Sequence, residues 1–173
     1  MGNTRNALPV KLVAGIIFKE SSALAGAKSR LRREFGPIDL ESQVMDFNLT
    51  DHYDAEMGTG LKKIFFSFER LILPQSLYKI KTTTNNIESR MSIKNRRIVN
   101  IDPGYIDAAK LVLASTKDYK HRIYLDKGIF AEITLSYQDN NFRPLDYTYP
   151  DYRTSQYIDI FKSIRTNYLN QIK

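Results

Sequence analysis

The residues of this chain that are best suited to chemistry are concentrated between positions 102 and 132. Acidic, basic and imidazole side chains alternate there with apolar, strand-like segments, so charged groups would be held in fixed positions between buried ones. A carboxylate beside an imidazole can move protons, and guanidinium or ammonium groups can bind an anion. The candidate members of this site are Asp102, Lys110, Lys117, Asp118, His121, Arg122 and Glu132.

Three of these residues are predicted to be catalytic, namely His121, Glu132 and Asp102. The imidazole of His121 ionises near physiological pH and has charged neighbours. Asp102 opens an Asp-Pro-Gly sequence, which predicts a tight turn that aims its carboxylate. Glu132 lies on the polar face of a predicted strand, where a covering helix would bury its carboxylate and shift its pKa. Each of the three also has a purely structural interpretation, as a turn, surface or solvated residue.

A second set of residues is predicted to bind the ligand, and its members are Lys117, Asp118, Arg122, Tyr149 and Arg153. Arg122 offers paired donors for a phosphate or a carboxylate, and Lys117 adds positive charge. The tyrosine-rich segment 147–153 predicts a lid whose rings stack on the ligand and whose Arg153 holds an anion. Alternatively, this segment only caps the last helix, through Asp151 or Thr154.

Known nucleotide and hydrolase motifs are absent from the sequence. It contains no G-x-x-x-x-G-K-[ST], no G-x-G-x-x-G and no G-x-S-x-G. The segment 51–56 (DHYDAE) has alternating potential ligands for a hard cation, but it lacks the glycine and the distal glutamate of known calcium loops. We therefore predict no metal site, and the sequence identifies no cofactor.

Composition and charge restrict the class of protein. The chain has 173 residues, no cysteine and a net charge of +7. Residues 1–60 carry 7 basic and 8 acidic side chains, whereas residues 61–173 carry 19 and 11, so the basic excess lies in the part that holds the predicted site. This distribution favours an anionic partner, such as a phosphorylated metabolite, a nucleotide or RNA, with a merely solvated basic surface as the alternative. With no secretory signal and no apolar run of about 18 residues, we expect a cytoplasmic protein with no membrane partner.

Two other functions remain open at this stage. The basic surface of residues 94–127, with the aromatic strand 62–68 (KKIFFSF), would suit an RNA-binding or ribosome-associated domain. The phenylalanines of that strand also fit a buried core. A protein-interaction subunit is the third possibility, with the final helix as its interface.

The elements that must position these residues predict an α+β protein. Their order is β-α-β-β-α-β, which is that of a ferredoxin-like core with an antiparallel sheet. The predicted elements are a strand at Val10–Phe18, a helix over 22–35, strands at 39–47 and within 61–73, a helix opened by Pro74, and a strand at 98–101. We place this core at 9–101, within a single domain of 173 residues.

Residues 102–173 are predicted to extend the sheet. Segment 109–116 is interpreted as a strand, with a helix over 106–115 as the alternative. Strands at 122–125 and 129–137 form a hairpin around Asp126-Lys127-Gly128. The second strand directs 129, 131, 133, 135 and 137 to one face. An irregular segment, 143–153, leads to a final amphipathic helix whose buried face is predicted to comprise Tyr157, Phe161, Ile164, Tyr168 and Ile172.

Six blocks of sequence together resemble one prokaryotic family. They are 35–39 (FGPID), 68–71 (FERL), 99–105 (VNIDPGY), 113–119 (LASTKDY), 121–125 (HRIYL) and 149–153 (YPDYR). The chain resembles the family called domain of unknown function 4416 over essentially its whole length. The resemblance implies a standalone bacterial or archaeal protein and no established activity. Members are sometimes labelled GTP-binding, but segment 116–118 (TKD) lacks the N-K-x-D spacing of guanine recognition.

Overall fold

The structure, a computed structural model, describes residues 2–173. Within them the chain is an α+β protein with one nine-stranded antiparallel sheet and four α-helices. The strands are β1 (Val10–Phe18), β2 (Ile38–Glu41), β3 (Met45–Asp46), β4 (Lys62–Ile72), β5 (Val99–Ile106), β6 (Lys110–Ser115), β7 (Ile123–Asp126), β8 (Ile129–Gln138) and β9 (Asn141–Pro144). The helices are α1 (Ser21–Phe35), α2 (Asp54–Met57), α3 (Leu77–Met91) and α4 (Ser155–Gln171), and 3₁₀ turns lie at Pro74–Ser76 and Pro150–Arg153.

The sheet is covered by helices on both of its faces. Its strands follow the order β2-β4-β1-β5-β6-β8-β7, with β3 added beside β4 and β9 beside β8. Helices α1 and α3 pack on one face of β1, β4 and β5, and α4 packs on the other face with β6, β8 and β9. Every residue of β1 is therefore buried, which explains why its sequence is a nearly continuous apolar run, interrupted by the buried Lys11, instead of an alternating one.

The first half of the chain matches the predicted elements except between β2 and β4. Both helices and the strand within 61–73 are confirmed. The predicted strand at 39–47 is two short strands, β2 and β3, which both pair with β4. The predicted loop 48–60 contains the one-turn helix α2.

The predicted turn at Asp102-Pro103-Gly104 is wrong, because β5 continues through it to Ile106 and stays paired with β1. The backbone N–H and C=O of Ile101 point towards α3 and away from β1. Because these directions alternate along a strand, the backbone nitrogen of Pro103, two residues further on, also points away from β1. The missing N–H of Pro103 therefore removes no bond to β1. Gly104 has no positive φ, but a Cβ there would lie 2.3 Å from the carbonyl oxygen of Val112. The glycine thus serves a close approach of β6. The predicted core boundary at 101 falls inside β5.

The strands after β5 settle the alternative for 106–115. This segment contains strand β6, so the helical alternative is wrong. The hairpin of β7 and β8 is confirmed, and its turn has positive φ at Lys127 (49°) and Gly128 (74°), as a two-residue hairpin turn requires. Strand β9 was not predicted, because residues 139–140 (DN), which form an analogous turn with φ of 50° and 57°, contain no glycine.

The regular alternation predicted along β8 is wrong. The pairing of β6 with β8 shifts between Leu111 and Val112, so Thr134 is an extra residue on β8. Such a bulge changes which face the following side chains occupy. Ile129 accordingly packs on the α3 side of the sheet, whereas Leu135 packs on the α4 side.

Helix α4 is confirmed, with four of its five predicted core residues buried. They are Tyr157, Phe161, Ile164 and Tyr168, whereas Ile172 lies beyond the helix and is exposed. Thr154 caps the helix by accepting a hydrogen bond from the Tyr157 backbone N–H. Asp151 is left free for another partner.

Candidate functional site

A cleft of about 540 Å³ opens on the sheet where β5 and β6 separate. In the described chain these strands pair only at Gly104–Leu113, Tyr105–Val112 and Ile106–Leu111, and they diverge beyond that point. Side chains from β1, β4, β5, β6, β8 and α3 line the cleft, together with residues of the 47–53 and 149–152 segments. The cleft is therefore a gap in the sheet that polar side chains fill.

The open edge of β5 is satisfied by helix α3 instead of by a strand. The backbone N–H of Ile101 donates to Glu88 Oε1 (2.7 Å), and its carbonyl accepts from Lys81 Nζ (2.9 Å). Because Lys81 and Glu88 are seven residues apart, they lie on one face of the helix. Burial raises the pKa of Glu88, against the opposing effect of Lys81. Two buried charged residues thus replace a missing strand and form one wall of the cleft.

Asp102 lies at the centre of this wall. Its Oδ2 accepts a hydrogen bond from Asn100 Nδ2 (2.8 Å), and its Oδ1 lies 3.5 Å from Lys81 Nζ. The side chain is 27% exposed, and a carboxylate has about four lone-pair sites, so part of its acceptor capacity is unused. Burial and the charge of Asp102 raise the pKa of Tyr53, which also lines the cleft.

Glu132 lines the cleft, but its two carboxylate oxygens are already bound. Oε2 accepts from Arg122 Nε (2.7 Å) and lies 3.1 Å from His121 Nε2, and Oε1 accepts from Thr134 Oγ1 (3.3 Å). His121 does not line the cleft; its ring stacks on Tyr147 at a centroid distance of 4.1 Å. The predicted acid–base pair is thus brought together, with His121 behind the glutamate as seen from the cleft.

Arg122 forms the opposite wall. Its guanidinium also donates to Ser115 Oγ (2.7 Å) and to the Lys117 carbonyl (2.9 Å), and it lies over the ring of Tyr119 at 4.5 Å. Burial is the largest single influence and lowers the pKa of Arg122, but the hydrogen bond and the charge of Glu132, together with Tyr149, outweigh it and raise this pKa. Its Nη2 has only a long contact of 3.4 Å, to the hydroxyl of Tyr149. Nη2 is therefore the part of the guanidinium with donor capacity to spare.

Lys117 and Tyr149 complete the cleft at its exposed end. The ammonium of Lys117 is 3.3 Å from His52 Nε2, and no carboxylate within residues 2–173 pairs with it. Of the predicted catalytic and ligand-binding residues, the cleft brings together Asp102, Lys117, Arg122, Glu132 and Tyr149.

The other predicted members of the site lie outside the cleft. Asp118 is exposed, and Lys110 pairs with Asp107 in the turn between β5 and β6. Arg153 donates to the carbonyls of Thr148 (2.7 Å) and Asp146 (2.8 Å), so it braces its own loop and is not directed at the cleft. Backbone carbonyls of the loop accept the hydrogen bonds that its guanidinium can donate, and a sequence does not reveal such contacts.

The floor of the cleft contains a buried ion pair that sequence reasoning missed. Lys63 Nζ donates to Asp151 Oδ2 (2.7 Å), and aromatic rings surround the ammonium, with the Tyr152 centroid at 4.4 Å. Glycine at position 15 leaves room for Lys63, since a Cβ there would lie 3.3 Å from Lys63 Cε and 2.9 Å from Phe65. A lysine within an apolar strand was the available signal.

Arg97, also missed, ties three elements together beside the cleft. It donates to Glu56 of α2 (2.5 Å), to Glu88 of α3 (3.3 Å) and to Asn100 of β5 (2.7 Å). The hydrogen bond from Arg97 lowers the pKa of Glu56. The positive charges of Arg97, Lys63 and Lys81 offset the negative charges of the carboxylates that line the cleft.

The structure also bears on the metal, RNA and protein-interaction hypotheses. Among residues 2–173 no group of three or more acidic, histidine or cysteine side chains could hold a metal ion. Phe65, Phe66 and Phe68 are buried and cannot stack on bases. The apolar face of α4 packs on its own sheet, so it is not free for a partner. In the described part of the chain, every helix is too short or too polar to cross a bilayer.

Comparison with known proteins identifies a family. Residues 8–168 match the family described as Domain of unknown function (DUF4416), which confirms the resemblance noted in the sequence. No curated protein and no solved structure matches the chain. The matched range includes every residue of the cleft.

Proposed function

The chain belongs to the DUF4416 family, and we propose that it binds a phosphate- or carboxylate-bearing small molecule in the cleft between β5 and β6. The observation that carries this proposal is a pair of cations that line the cleft, the exposed Lys117 and the buried Arg122. Lys117 has no carboxylate partner within residues 2–173, and Arg122 keeps Nη2 available beside Tyr149. A flexible ammonium next to a fixed guanidinium is a common arrangement for an anionic group.

The size and the lining of the cleft support a small ligand. A volume of about 540 Å³ lies within the range of about 300–1,000 Å³ for small-molecule sites. The walls combine aromatic rings with a few fixed polar groups, which orient a ligand and confer specificity. A nucleotide would fit this description, with its base against the tyrosines.

In an enzymatic version of this function, Asp102 is the best acid–base group. It lines the cleft and has spare acceptor capacity, whereas the oxygens of Glu132 are held by Arg122, His121 and Thr134. Arg122 and Lys117 would stabilise negative charge that develops on the ligand. His121 would act through Glu132 as a positioning residue.

We also propose that the first half of the chain forms a ferredoxin-like unit and that the protein is cytoplasmic. The order β2-β4-β1-β5, with α1 and α3 on one face, supports a ferredoxin-like unit that the later strands extend. The absence of cysteine supports a cytoplasmic setting.

A thermal-shift screen against inorganic phosphate, citrate, sugar phosphates and nucleotides tests the function. A ligand that binds only the native state raises its stability, so binding is visible without an assay for activity. We expect Lys117→Ala to need about tenfold more ligand than the wild type for the same rise in melting temperature, since a charge-assisted hydrogen bond contributes about 1.5–3 kcal/mol.

The matched control is Lys120→Ala, which removes an exposed lysine three residues away that does not line the cleft. This variant should respond like the wild type. Equal losses in both variants would indicate a general charge effect, and no response to any of these anions would refute the proposed function.

A further inference from the structure

Tyr152 has a buried hydroxyl that lacks a hydrogen-bond partner. The residue is 3% exposed and lines the cleft, and its oxygen has no partner among residues 2–173. Nearby buried hydroxyls are satisfied; Thr148 Oγ1, for example, donates to the carbonyl of Thr134 (2.6 Å). Because buried polar groups are nearly always paired, this hydroxyl requires a partner from outside the chain, either a water or a ligand group in the cleft.

Two further groups of the inner cleft have unused hydrogen-bonding capacity. Asp102 uses one oxygen for Asn100 and has only a 3.5 Å contact from Lys81 on the other. The amide of Asn85, on the same wall of α3, forms no side-chain hydrogen bond within the described range 2–173. A carboxylate, an amide and a phenol together suit a ligand that donates and accepts several hydrogen bonds.

The charges of the cleft favour a neutral group at this position. The lining includes the cations Lys63, Lys81, Arg97, Lys117 and Arg122 and the carboxylates Glu88, Asp102, Glu132 and Asp151. On this wall the charges of Lys81 and Arg97 already offset those of Asp102 and Glu88, so a ligand ammonium would add an unbalanced cation. Hydroxyl groups satisfy the same acceptors without adding charge.

We infer that the ligand is a phosphorylated sugar or polyol, either free or as the ribose phosphate of a nucleotide. Its hydroxyl groups bind Asp102, Asn85 and Tyr152 in the inner cleft, and its phosphate binds Lys117 and Arg122 at the exposed end. This inference rests on the proposed function, because it uses the same anion-binding end of the cleft. It adds that the phosphate alone is an incomplete ligand.

The test compares inorganic phosphate with ribose 5-phosphate, glucose 6-phosphate, glycerol 3-phosphate and AMP by titration calorimetry. We expect at least one of the organic phosphates to bind the wild type about tenfold or more tightly than phosphate. Tyr152→Phe should lower that affinity about tenfold and leave phosphate binding unchanged, because sites built to hydrogen-bond a hydroxyl discriminate strongly.

Two controls make the result specific. Tyr157→Phe removes a hydroxyl from the same aromatic cluster outside the cleft, and it should bind every probe like the wild type. Asp102→Asn removes a negative charge and so affects every anion, but it should lower the ratio of organic to inorganic phosphate affinity as Tyr152→Phe does. Two variants with the same change in this ratio guard against a folding effect of either one.

The outcomes separate the two claims. Phosphate binding with no gain from any organic phosphate overturns the inference and leaves the proposed function standing. A gain that Tyr152→Phe and Asp102→Asn both preserve also overturns it. No binding of any probe overturns both.

Discussion

At the scale of single residues, the contacts of a charged side chain decide what it can do. Arg122 and Glu132 are 3% and 2% exposed, and each contacts several partners. Their types and spacing predicted a site, and both line the cleft. Both oxygens of Glu132 nevertheless have partners already, because residues 115–134 fold back on one another in a way that a sequence does not display.

Glu132→Ala is expected to destabilise the protein by about 3–5 kcal/mol, because it leaves the buried guanidinium of Arg122 without its charged partner. Urea unfolding measures the effect. Asp118→Ala, which removes an exposed carboxylate from the preceding loop, should change stability by less than about 0.5 kcal/mol. A Glu132 variant as stable as the Asp118 variant would contradict the structural role of this ion pair.

At the scale of elements, the sequence predicted strands and helices well where a single rule decides them. A nearly continuous apolar run identified β1, and helical spacing identified the buried stripe of α4. Prediction failed where the surroundings override a local signal. Pro103 and Gly104 read as a turn, yet the open edge of β5 tolerates the proline and the approach of β6 requires the glycine.

Gly104→Ala tests this interpretation of β5. The new Cβ would lie 2.3 Å from the Val112 carbonyl oxygen and 2.7 Å from Leu113, so we expect a loss of about 3 kcal/mol, towards the upper end for overpacking. Gly128→Ala meets open space but requires φ of 74°, and should cost about 1–2 kcal/mol. Equal costs in denaturant unfolding would show that close approach is not the function of Gly104.

Arg97 links three elements, and its pair with Glu56 predicts a pH dependence. The pKa of Glu56 is below its ordinary value of 4.5 in the folded protein, so its contribution to stability is present above that value. The contribution is lost as the pH falls through the folded pKa. Because Glu56 is 36% exposed, we expect at most about 1 kcal/mol.

Urea unfolding of the wild type and Glu56→Gln across pH 3–7 measures this contribution. The wild type should be the more stable protein near pH 7, and the difference should shrink as the pH falls below 4.5 and through the lowered pKa of Glu56. If the difference in free energy of unfolding stayed constant over this pH range, it would come from packing and not from the ionisation of Glu56.

At the scale of the whole molecule, the sequence predicted half of the site. Residues 102–132 lie close together along the chain, and the hairpin of β7 and β8 within them carries a clear turn signal at Lys127-Gly128. The rest of the cleft lining includes Lys63, Lys81, Glu88 and Arg97. These residues reach the cleft only because β5 pairs with β1 on one side and separates from β6 on the other. That arrangement depends on long-range pairing, and no local pattern specifies it.

The three-pair junction between β5 and β6 divides the sheet into two panels that share a narrow seam. Lys81, on α3, lies on the β5 side of the cleft, and Arg122, in the loop before β7, lies on the side of β8. Helix α3 packs on both panels, with Ile87 in the core of β1, β4 and β5 and Leu77 against Val112 and Ile129. This helix therefore holds the two panels at a fixed angle, so the cleft has its shape before any ligand enters it.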